Sequence, residues 1–297
     1  MIIAHLSDLH LRDEADAIEF ARQLDRVVAR RAQHLVITGD LLDWWDPSLL
    51  DRALDALAER DLLSARTLTV FHGNHDLASS GGHPRGSADL RRLALRFWDP
   101  PPLLALRRRR FYAAIERRAA GLGATPPFFK QLEQGIALAV LDTVHAPWLP
   151  LWVRRGEIQL HHAIGEVGEP QTRWLAQQKN SRTLVVLVHH YPLEIEPYSW
   201  RRSGSSPQAR ASWLDRWTFV VPMAIRLPDR DRFWSAAESA GAAAVLCGHV
   251  HRTRVERYRG ITVGLNGQSG AAWAGRTIAY CRIGEGPIEV EYEAADS

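Results

Sequence analysis

Runs of apolar residues alternate with amphipathic stretches through the first third of the chain. Three short runs of apolar and β-branched residues predict buried strands at residues 2–7, 34–38 and 67–72. Between the first two runs, apolar residues recur at helical spacing over residues 15–32. A second helical stretch follows, and either Asp46 or Ser48 can cap its first turn. This β-α-β-α-β pattern predicts a partly parallel sheet with covering helices.

The rest of the chain is less regular, but it returns to the same kind of strand. Further apolar runs predict strands at residues 136–142, 183–188 and 243–247. From residue 253 to residue 292, polar and apolar residues alternate between glycine turns, which predicts antiparallel strands. We find no internal repeat and no low-complexity linker. The simplest organisation is therefore a single domain over residues 1–297, with inserts at about 79–130 and 192–228.

Both predicted inserts are rich in arginine. Residues 107–118 (RRRRFYAAIERR) predict a basic helix. Its run 107–110 is either a solvated helix face or, with aromatic residues beside it, a patch for a polyanion. In the second insert, Arg201 and Arg202 are candidate substrate-binding residues on a lid, because a guanidinium group binds phosphate well. The alternative there is an ordinary surface loop.

Composition narrows the class of protein. Hydrophobic residues make up 46% of the 297 positions and charged residues 24%, which is ordinary for a soluble globular protein. The net charge of +3 does not by itself imply binding to nucleic acid. Two cysteines are too few for a disulfide framework. The N-terminus lacks a signal-peptide pattern, and no apolar run approaches the ~20 residues of a membrane span, so we expect a cytoplasmic protein without a transmembrane segment.

Side chains that can bind a metal follow five of the predicted strands. They are Asp8, His10, Asp40, Asn74, His189 with its neighbour His190, His249 and His251. In open α/β sheets, ligands collect at the carboxyl ends of the strands, so these side chains are expected to meet at one edge. Carboxylate and imidazole suit Mn, Fe, Co, Ni or Zn, and the set contains no cysteine for a structural zinc site. The set has too many ligands for one ion that must keep an open coordination position. It suits two ions, the arrangement that hydrolyses phosphate esters.

The order DxH, GD, GNHD, HH, GHxH resembles the calcineurin-like metallophosphoesterases. The resemblance implies an α/β fold, a four-layer αββα sandwich of mixed sheets with flanking helices. It also implies two divalent or trivalent ions such as Mn, Fe or Zn. One ion would be held by Asp8, His10 and His251, the other by Asn74, His189 and His249, and Asp40 would bridge them. The family's pattern makes the first histidine of 189-HHYPL-193 the ligand, with His190 as the alternative.

Two further residues of the GNHD block receive catalytic roles from the resemblance. His75 would face the bound phosphate, where it stabilises charge or protonates the leaving oxygen. Asp76 would orient His75, as carboxylates often do for functional imidazoles. The lone histidines elsewhere, among them His34 and His72, are expected to be structural.

The predicted function is a dinuclear-metal-dependent hydrolase of phosphate esters. Because the chain is compact, the first choice of substrate is a nucleotide or another small phosphodiester. The alternatives are a nuclease acting on DNA ends, a hydrolase of lipid-linked pyrophosphate, and a non-catalytic scaffold that metal stabilises. The presence of His75 favours catalysis over the scaffold.

Overall fold

The computed structural model describes most of the chain. The described residues are 1–78, 100–144, 151–154, 157–160, 164–178, 182–196, 198–201, 218–221, 224–225, 227–270, 276–284 and 286–295. The predicted inserts at 79–130 and 192–228 lie partly outside these ranges, and the single-domain organisation remains a prediction. None of the described helices is both long enough and apolar enough to cross a membrane.

Fifteen strands and five α-helices make up the described part of the chain. The strands are β1 (Ile2–Leu6), β2 (His34–Ile37), β3 (Leu68–Val70), β4 (Phe128–Gln131), β5 (Ile136–Val140), β6 (Leu151–Arg154), β7 (Glu157–Leu160), β8 (Thr183–Leu187), β9 (Tyr198–Arg201), β10 (Thr218–Val221), β11 (Ala242–Cys247), β12 (Thr253–Tyr258), β13 (Ile261–Asn266), β14 (Thr277–Arg282) and β15 (Glu289–Ala294). The helices are α1 (Glu14–Ala29), α2 (Pro47–Ala58), α3 (Pro101–Arg118), α4 (Glu169–Ala176) and α5 (Leu227–Ser239). A short 3₁₀ turn covers His75–Leu77.

The first sheet has the strand order β15-β14-β1-β2-β3. Strands β1, β2 and β3 are parallel, as the alternating pattern at the start of the chain predicts. Strand β14 pairs antiparallel with β1, so the end of the chain completes the sheet that its beginning starts. Strand β15 pairs antiparallel with β14 at the edge.

The second sheet has the order β12-β13-β11-β8-β5-β4. Its four inner strands are parallel, and the two outer strands, β12 and β4, are antiparallel to their neighbours. The predicted antiparallel tail is confirmed, but its strands divide between the two sheets. A third sheet, β6-β7-β10-β9, comes from segments that the sequence pattern leaves irregular.

The period of two along each strand explains the layers. In β1, Ile3 packs between the sheets, whereas Ala4 and Leu6 pack against the helices. In β8, Val185 faces the space between the sheets and Val186 faces the other helical layer. Helices α1, α2 and α3 cover the first sheet, and α4 and α5 cover the second. The predicted αββα sandwich of mixed sheets is therefore confirmed.

Local side-chain contacts explain where the helices begin. Asp13 accepts a hydrogen bond from the Asp16 N–H at the start of α1. Asp46, rather than Ser48, is the N-cap of α2, because its carboxylate accepts from the N–H groups of Ser48 and Leu49. Pro47 fills the first helical position, where an N–H has no partner within the helix. These caps place the 40–46 loop firmly at the carboxyl end of β2.

Candidate metal centre

All seven predicted metal ligands meet at one edge of the sandwich. They follow the carboxyl ends of β1, β2, β3, β8 and β11, which belong to both sheets. Candidate ligand atoms form three overlapping groups, in each of which the atoms lie within 4.8 Å of one another. The groups are Asp8 with His10 and His251, His10 with Asp40 and His75, and Asp40 with His189 and His249.

The first group contains the predicted ligands of one ion. The Nε2 atoms of His10 and His251 lie 3.8 Å and 3.5 Å from Asp8 Oδ1. The same two nitrogens lie 3.3 Å from each other. The three ligand atoms thus surround a common point with one carboxylate oxygen and two imidazole nitrogens, a set that suits a borderline divalent ion.

The second group contains the predicted ligands of the other ion. His189 Nε2 lies 3.0 Å from Asn74 Oδ1, and His249 Nδ1 lies 3.2 Å from the same His189 nitrogen. Asp40 Oδ2 lies 3.3 Å from His189 Nε2 and 3.7 Å from His10 Nε2. Asp40 Oδ2 therefore lies between the two groups of predicted ligands, in the position expected for a carboxylate that contacts both ions.

Backbone geometry at the ligands is unusual. Asp8, His10 and Asp40 have φ values of 55°, 47° and 51°, and His249 and His251 have φ values of 73° and 48°. A positive φ is uncommon outside glycine, although aspartate and histidine adopt it more readily than most residues. It turns each side chain from its strand direction toward the shared edge. Such conformations cluster at functional sites, where the surrounding structure holds them.

Gly73 lets two of these loops approach each other closely. A Cβ atom at this position would lie 2.5 Å from the Asp40 backbone nitrogen and 2.7 Å from His189 Cε1. Real Cβ atoms do not come so near, so a side chain here would push apart two predicted ligands. The glycine of the GNHD block is thus required by packing at the metal centre.

The two buried aspartates each keep one oxygen available. Asp8 Oδ2 accepts a hydrogen bond from the His249 N–H, and Asp40 Oδ1 accepts one from the His75 N–H, both at 2.8 Å. The other oxygens, Asp8 Oδ1 and Asp40 Oδ2, are buried and make no hydrogen bond within the described structure. A buried carboxylate oxygen without a partner is costly, and a metal ion removes that cost. The residues present therefore fit a pair of metal ions.

Charge favours the same conclusion. Burial raises the pKa of Asp8 and of Asp40, but the neighbouring histidines hold both pKa values below the usual range. Burial lowers the pKa of His10, yet the nearby carboxylates of Asp43 and Asp8 outweigh it and raise this pKa to about 10. For His189, burial is likewise outweighed by the Asp40 carboxylate, and the pKa rises to about 9. The ionised carboxylates draw positive charge to the cluster, whether as protons on imidazole or as metal ions.

The structure separates His189 from His190. His189 Nδ1 lies 2.8 Å from the Thr38 carbonyl oxygen, so it donates there and its Nε2 is directed at Asp40 and Asn74. His190 instead places Nδ1 2.8 Å from the Thr143 hydroxyl. The geometry thus favours His189 as the ligand.

The predicted role of Asp76 needs correction. Its two oxygens accept hydrogen bonds from the N–H groups of Leu42 and Gly73, both at 2.8 Å, and so join the Asp40 loop to the GNHD block. The carboxylate beside His75 is Asp43, whose Oδ1 lies 3.2 Å from His75 Nδ1. Burial and the charge of Asp40 raise the pKa of Asp76 to about 7. Asp76 lies in the 3₁₀ turn and is fully buried.

Asp43 is the functional residue that the sequence reasoning missed. It is 1% exposed, and the same Oδ1 lies 3.1 Å from His10 Nδ1 and 3.2 Å from His75 Nδ1. His75 Nδ1 also lies 3.1 Å from the Asp43 backbone carbonyl oxygen, so Asp43 contacts the predicted catalytic histidine through both its backbone and its carboxylate. The same carboxylate contacts a predicted metal ligand, His10. The signal was its position three residues after Asp40 in 39-GDLLD-43.

The predicted substrate arginines receive no structural account. Arg202 lies outside the described residues, and of Arg201 the structure describes only the backbone, at the end of β9. Their role stays a prediction.

Comparison with known proteins agrees with the ordered ligand set and the four-layer sandwich. A sequence profile described as calcineurin-like phosphoesterase matches residues 1–253. The chain belongs to that family. The match includes every predicted metal ligand from Asp8 to His251. Members of the calcineurin-like phosphoesterase family depend on a dinuclear metal centre, and this chain is a phosphoester hydrolase of that family.

Solved structures share the fold at low sequence identity. A dimetal phosphatase from Danio rerio is 12% identical, with a TM-score of 0.60, over 99% of this chain and 96% of its own. GAP50, described as the anchor in the inner membrane complex of Plasmodium, is 11% identical, with a TM-score of 0.55, over 99% and 84%. The protein TT1561 of Thermus thermophilus is 11% identical, with a TM-score of 0.53, over 99% and 98%. A search of curated protein sequences gave no match.

Proposed function

We propose that this protein is a phosphodiesterase that uses two metal ions to hydrolyse a nucleotide or another small phosphodiester. The observation that carries the proposal is the pair of buried carboxylate oxygens, Asp8 Oδ1 and Asp40 Oδ2, that face imidazole and amide ligands without a hydrogen bond of their own. When bound, a pair of Mn, Fe, Zn or similar ions supplies an activated water and neutralises charge on the phosphoryl group.

The chain's own residues then have distinct tasks. Asp8, His10 and His251 would hold one ion, Asn74, His189 and His249 would hold the other, and Asp40 would contact both. His75 stands beside the centre, with its ring 4.5 Å from that of His10, and Asp43 fixes its Nδ1 side. The opposite nitrogen, Nε2, would then face the bound ester, where it hydrogen-bonds a phosphate oxygen or gives its proton to the leaving oxygen.

The choice of a small diester rests on the size and charge of the chain. The family profile matches residues 1–253 of the 297 and includes every predicted ligand. A net charge of +3 gives little long-range attraction for a polyanion such as DNA. A small anionic ester needs no such attraction, because the ions themselves bind it.

The test is turnover by the metal-loaded protein on a panel of esters. The panel contains bis-nitrophenyl phosphate, a cyclic nucleotide, a phosphomonoester, a DNA duplex with free ends and a lipid-linked pyrophosphate. We expect the small diesters to give the highest kcat/KM. Fastest cleavage of DNA ends or of the pyrophosphate would replace the proposed substrate, and two bound ions without turnover of any ester would favour a scaffold.

A matched pair of variants checks that the turnover belongs to this centre. Asp40→Asn keeps the size of the residue and tolerates its left-handed backbone but removes the carboxylate charge, so activity should fall by about 10²–10³-fold, the usual loss for one electrostatic group. Asp61→Asn is the control, because Asp61 is exposed and has a similar φ of 55° outside the centre. Equal turnover by the Asp40 variant and the control would contradict the assignment.

A further inference from the structure

Two consecutive residues after β5, Asp142 and Thr143, contact residues that are near predicted ligands in sequence: His72, two residues before Asn74, and His190, directly after His189. Neither residue belongs to the metal-binding groups of the described structure. Thr143 is 1% exposed, and the side chain of Asp142 is 15% exposed. Asp142 contacts His72 in the segment before Asn74, and Thr143 contacts His190, directly after His189.

Thr143 holds His190. The His190 N–H donates to the Thr143 hydroxyl oxygen at 3.2 Å, and the same oxygen lies 2.8 Å from His190 Nδ1. The His190 ring in turn packs on the ring of His249, with 4.2 Å between centroids, and lies 5.0 Å from the ring of His189. Gly165 packs closely against His190, because a Cβ at Gly165 would lie only 2.6 Å from the His190 Cβ.

Asp142 holds the segment that precedes Asn74. Its Oδ1 lies 3.2 Å from His72 Nε2, and its Oδ2 lies 3.2 Å from an Nη2 atom of Arg108 on α3. Arg108 Nε also lies 3.2 Å from His72 Nε2, and His72 Nδ1 lies 2.6 Å from the Tyr112 hydroxyl. His72 is buried and comes two residues before Asn74. The end of β3 is thus fixed to β5 and α3 by side chains.

Among the predicted ligands of the ion bound by Asp8, His10 and His251, His10 has a support of its own, because its Nδ1 contacts Asp43. Asp8 instead accepts the backbone N–H of His249, so the two halves of the centre touch at that bond. The Asp43 contact involves neither Asp142 nor Thr143. A change in one support is expected to weaken one ion more than the other.

We propose that Asp142 and Thr143 form a positioning unit for the ion bound by Asn74, His189 and His249. This inference rests on the proposed function. Asp142 sets the position of Asn74 through His72, and Thr143 sets the rings of His189 and His249 through His190. Supporting residues of this kind typically change metal affinity by about 10–100-fold.

The experiment measures metal binding rather than activity. Metal-free protein is titrated with Mn²⁺ by calorimetry, and the spectrum of coupled Mn²⁺ pairs is followed by electron paramagnetic resonance. Wild type should bind two ions and give the coupled spectrum. Thr143→Val removes the hydroxyl at nearly constant volume. It should lower the affinity for the ion bound by Asn74, His189 and His249 by about 10–100-fold, and leave the affinity for the ion bound by Asp8, His10 and His251 unchanged. Thr143→Ser, which keeps the hydroxyl, should bind both ions as wild type does. Asp142→Asn should selectively weaken the ion bound by Asn74, His189 and His249.

Two controls separate positioning from general damage. Thr172→Val removes a buried hydroxyl that bonds the backbone of α4, and Asp229→Asn neutralises a buried carboxylate that pairs with Arg232. Both control variants should bind two Mn²⁺ ions with the affinities of wild type. The inference is overturned if Thr143→Val and Asp142→Asn bind both ions as wild type does, or if both ions weaken equally. A wild-type protein that binds fewer than two ions would instead overturn the proposed function itself.

Discussion

Replacing Asp43 with asparagine tests the connection between the metal centre and His75. The carboxylate lies 3.1 Å from His10 Nδ1 and 3.2 Å from His75 Nδ1, and it is almost completely buried. Asparagine has the same shape, so the loop should keep its path while the negative charge is lost. Burial raises the pKa of Asp43, but its hydrogen bonds to His10 and His75 outweigh this and hold the pKa well below the usual range, so the native group is fully ionised.

Two effects of known size should follow. A supporting group of a metal-bound histidine is worth about 10–100-fold in metal affinity, or about 1.4–2.7 kcal/mol for the ion that His10 binds. A positioned general acid contributes about 10²–10⁴-fold to the rate. At saturating metal, the affinity effect disappears, and the remaining loss of kcat reports on His75. We therefore expect kcat to fall by at least about 10²-fold for Asp43→Asn at saturating Mn²⁺.

The assay is kcat for a nitrophenyl phosphodiester as a function of Mn²⁺ concentration and pH. Asp46→Asn is the matched control, because it removes a charge from the same loop while asparagine caps α2 equally well. Asp76→Asn should leave the pH profile of His75 in place, since Asp76 accepts only backbone N–H groups in the described structure. Wild-type kcat in Asp43→Asn at saturating metal would refute the reasoning, as would a larger shift of the pH profile in the Asp76 variant.

Three further predictions concern packing and stability. Gly73→Ala forces a Cβ against the Asp40 loop, so the protein should lose bound metal and about 1–3 kcal/mol of unfolding free energy. Gly284→Ala is the control and should lose neither, because a Cβ there meets no atom within 4 Å. Metal analysis and urea unfolding measure the two effects. Burial and then the charge of Lys130 lower the pKa of His34 to about 3, so the unfolded chain binds a proton that the folded protein does not as the pH falls below about 6.5. The unfolding free energy of wild type should therefore fall by about 2 kcal/mol between pH 6.5 and 5 because of His34. An equal fall in His34→Gln would contradict the assignment of this pH dependence to His34. Asp46→Ala should cost about 0.5–2 kcal/mol in urea unfolding, and an unchanged midpoint would show that the cap contributes nothing.

The sequence predicts much of this centre because its ligands follow strands. A buried parallel strand is a short local pattern, and the rule that ligands collect at carboxyl ends joins five such patterns without knowledge of the fold. Asp43 escaped this reasoning because it does not follow a strand directly. It lies in the loop beyond Asp40, and only the three-dimensional path of that loop brings it between His10 and His75.

Other features depend on contacts between distant parts of the chain. The helix over residues 107–118 is predicted, but its arginines divide between faces, since each residue turns the helix by about 100°. Arg107 donates to the Leu77 carbonyl and Arg108 reaches His72, while Arg109 and Arg110 are exposed. The pairing of β14 with β1 is likewise invisible to a local pattern, because it joins the two ends of the chain.

The left-handed backbone at Asp8, His10, Asp40, His249 and His251 has an evolutionary consequence. Each such residue is on the order of 1 kcal/mol or more less stable than a relaxed conformation. The sum is a large share of the ~5–15 kcal/mol by which a typical domain is stable. A descendant that no longer needed metal could gain stability by placing glycine at any of the five positions.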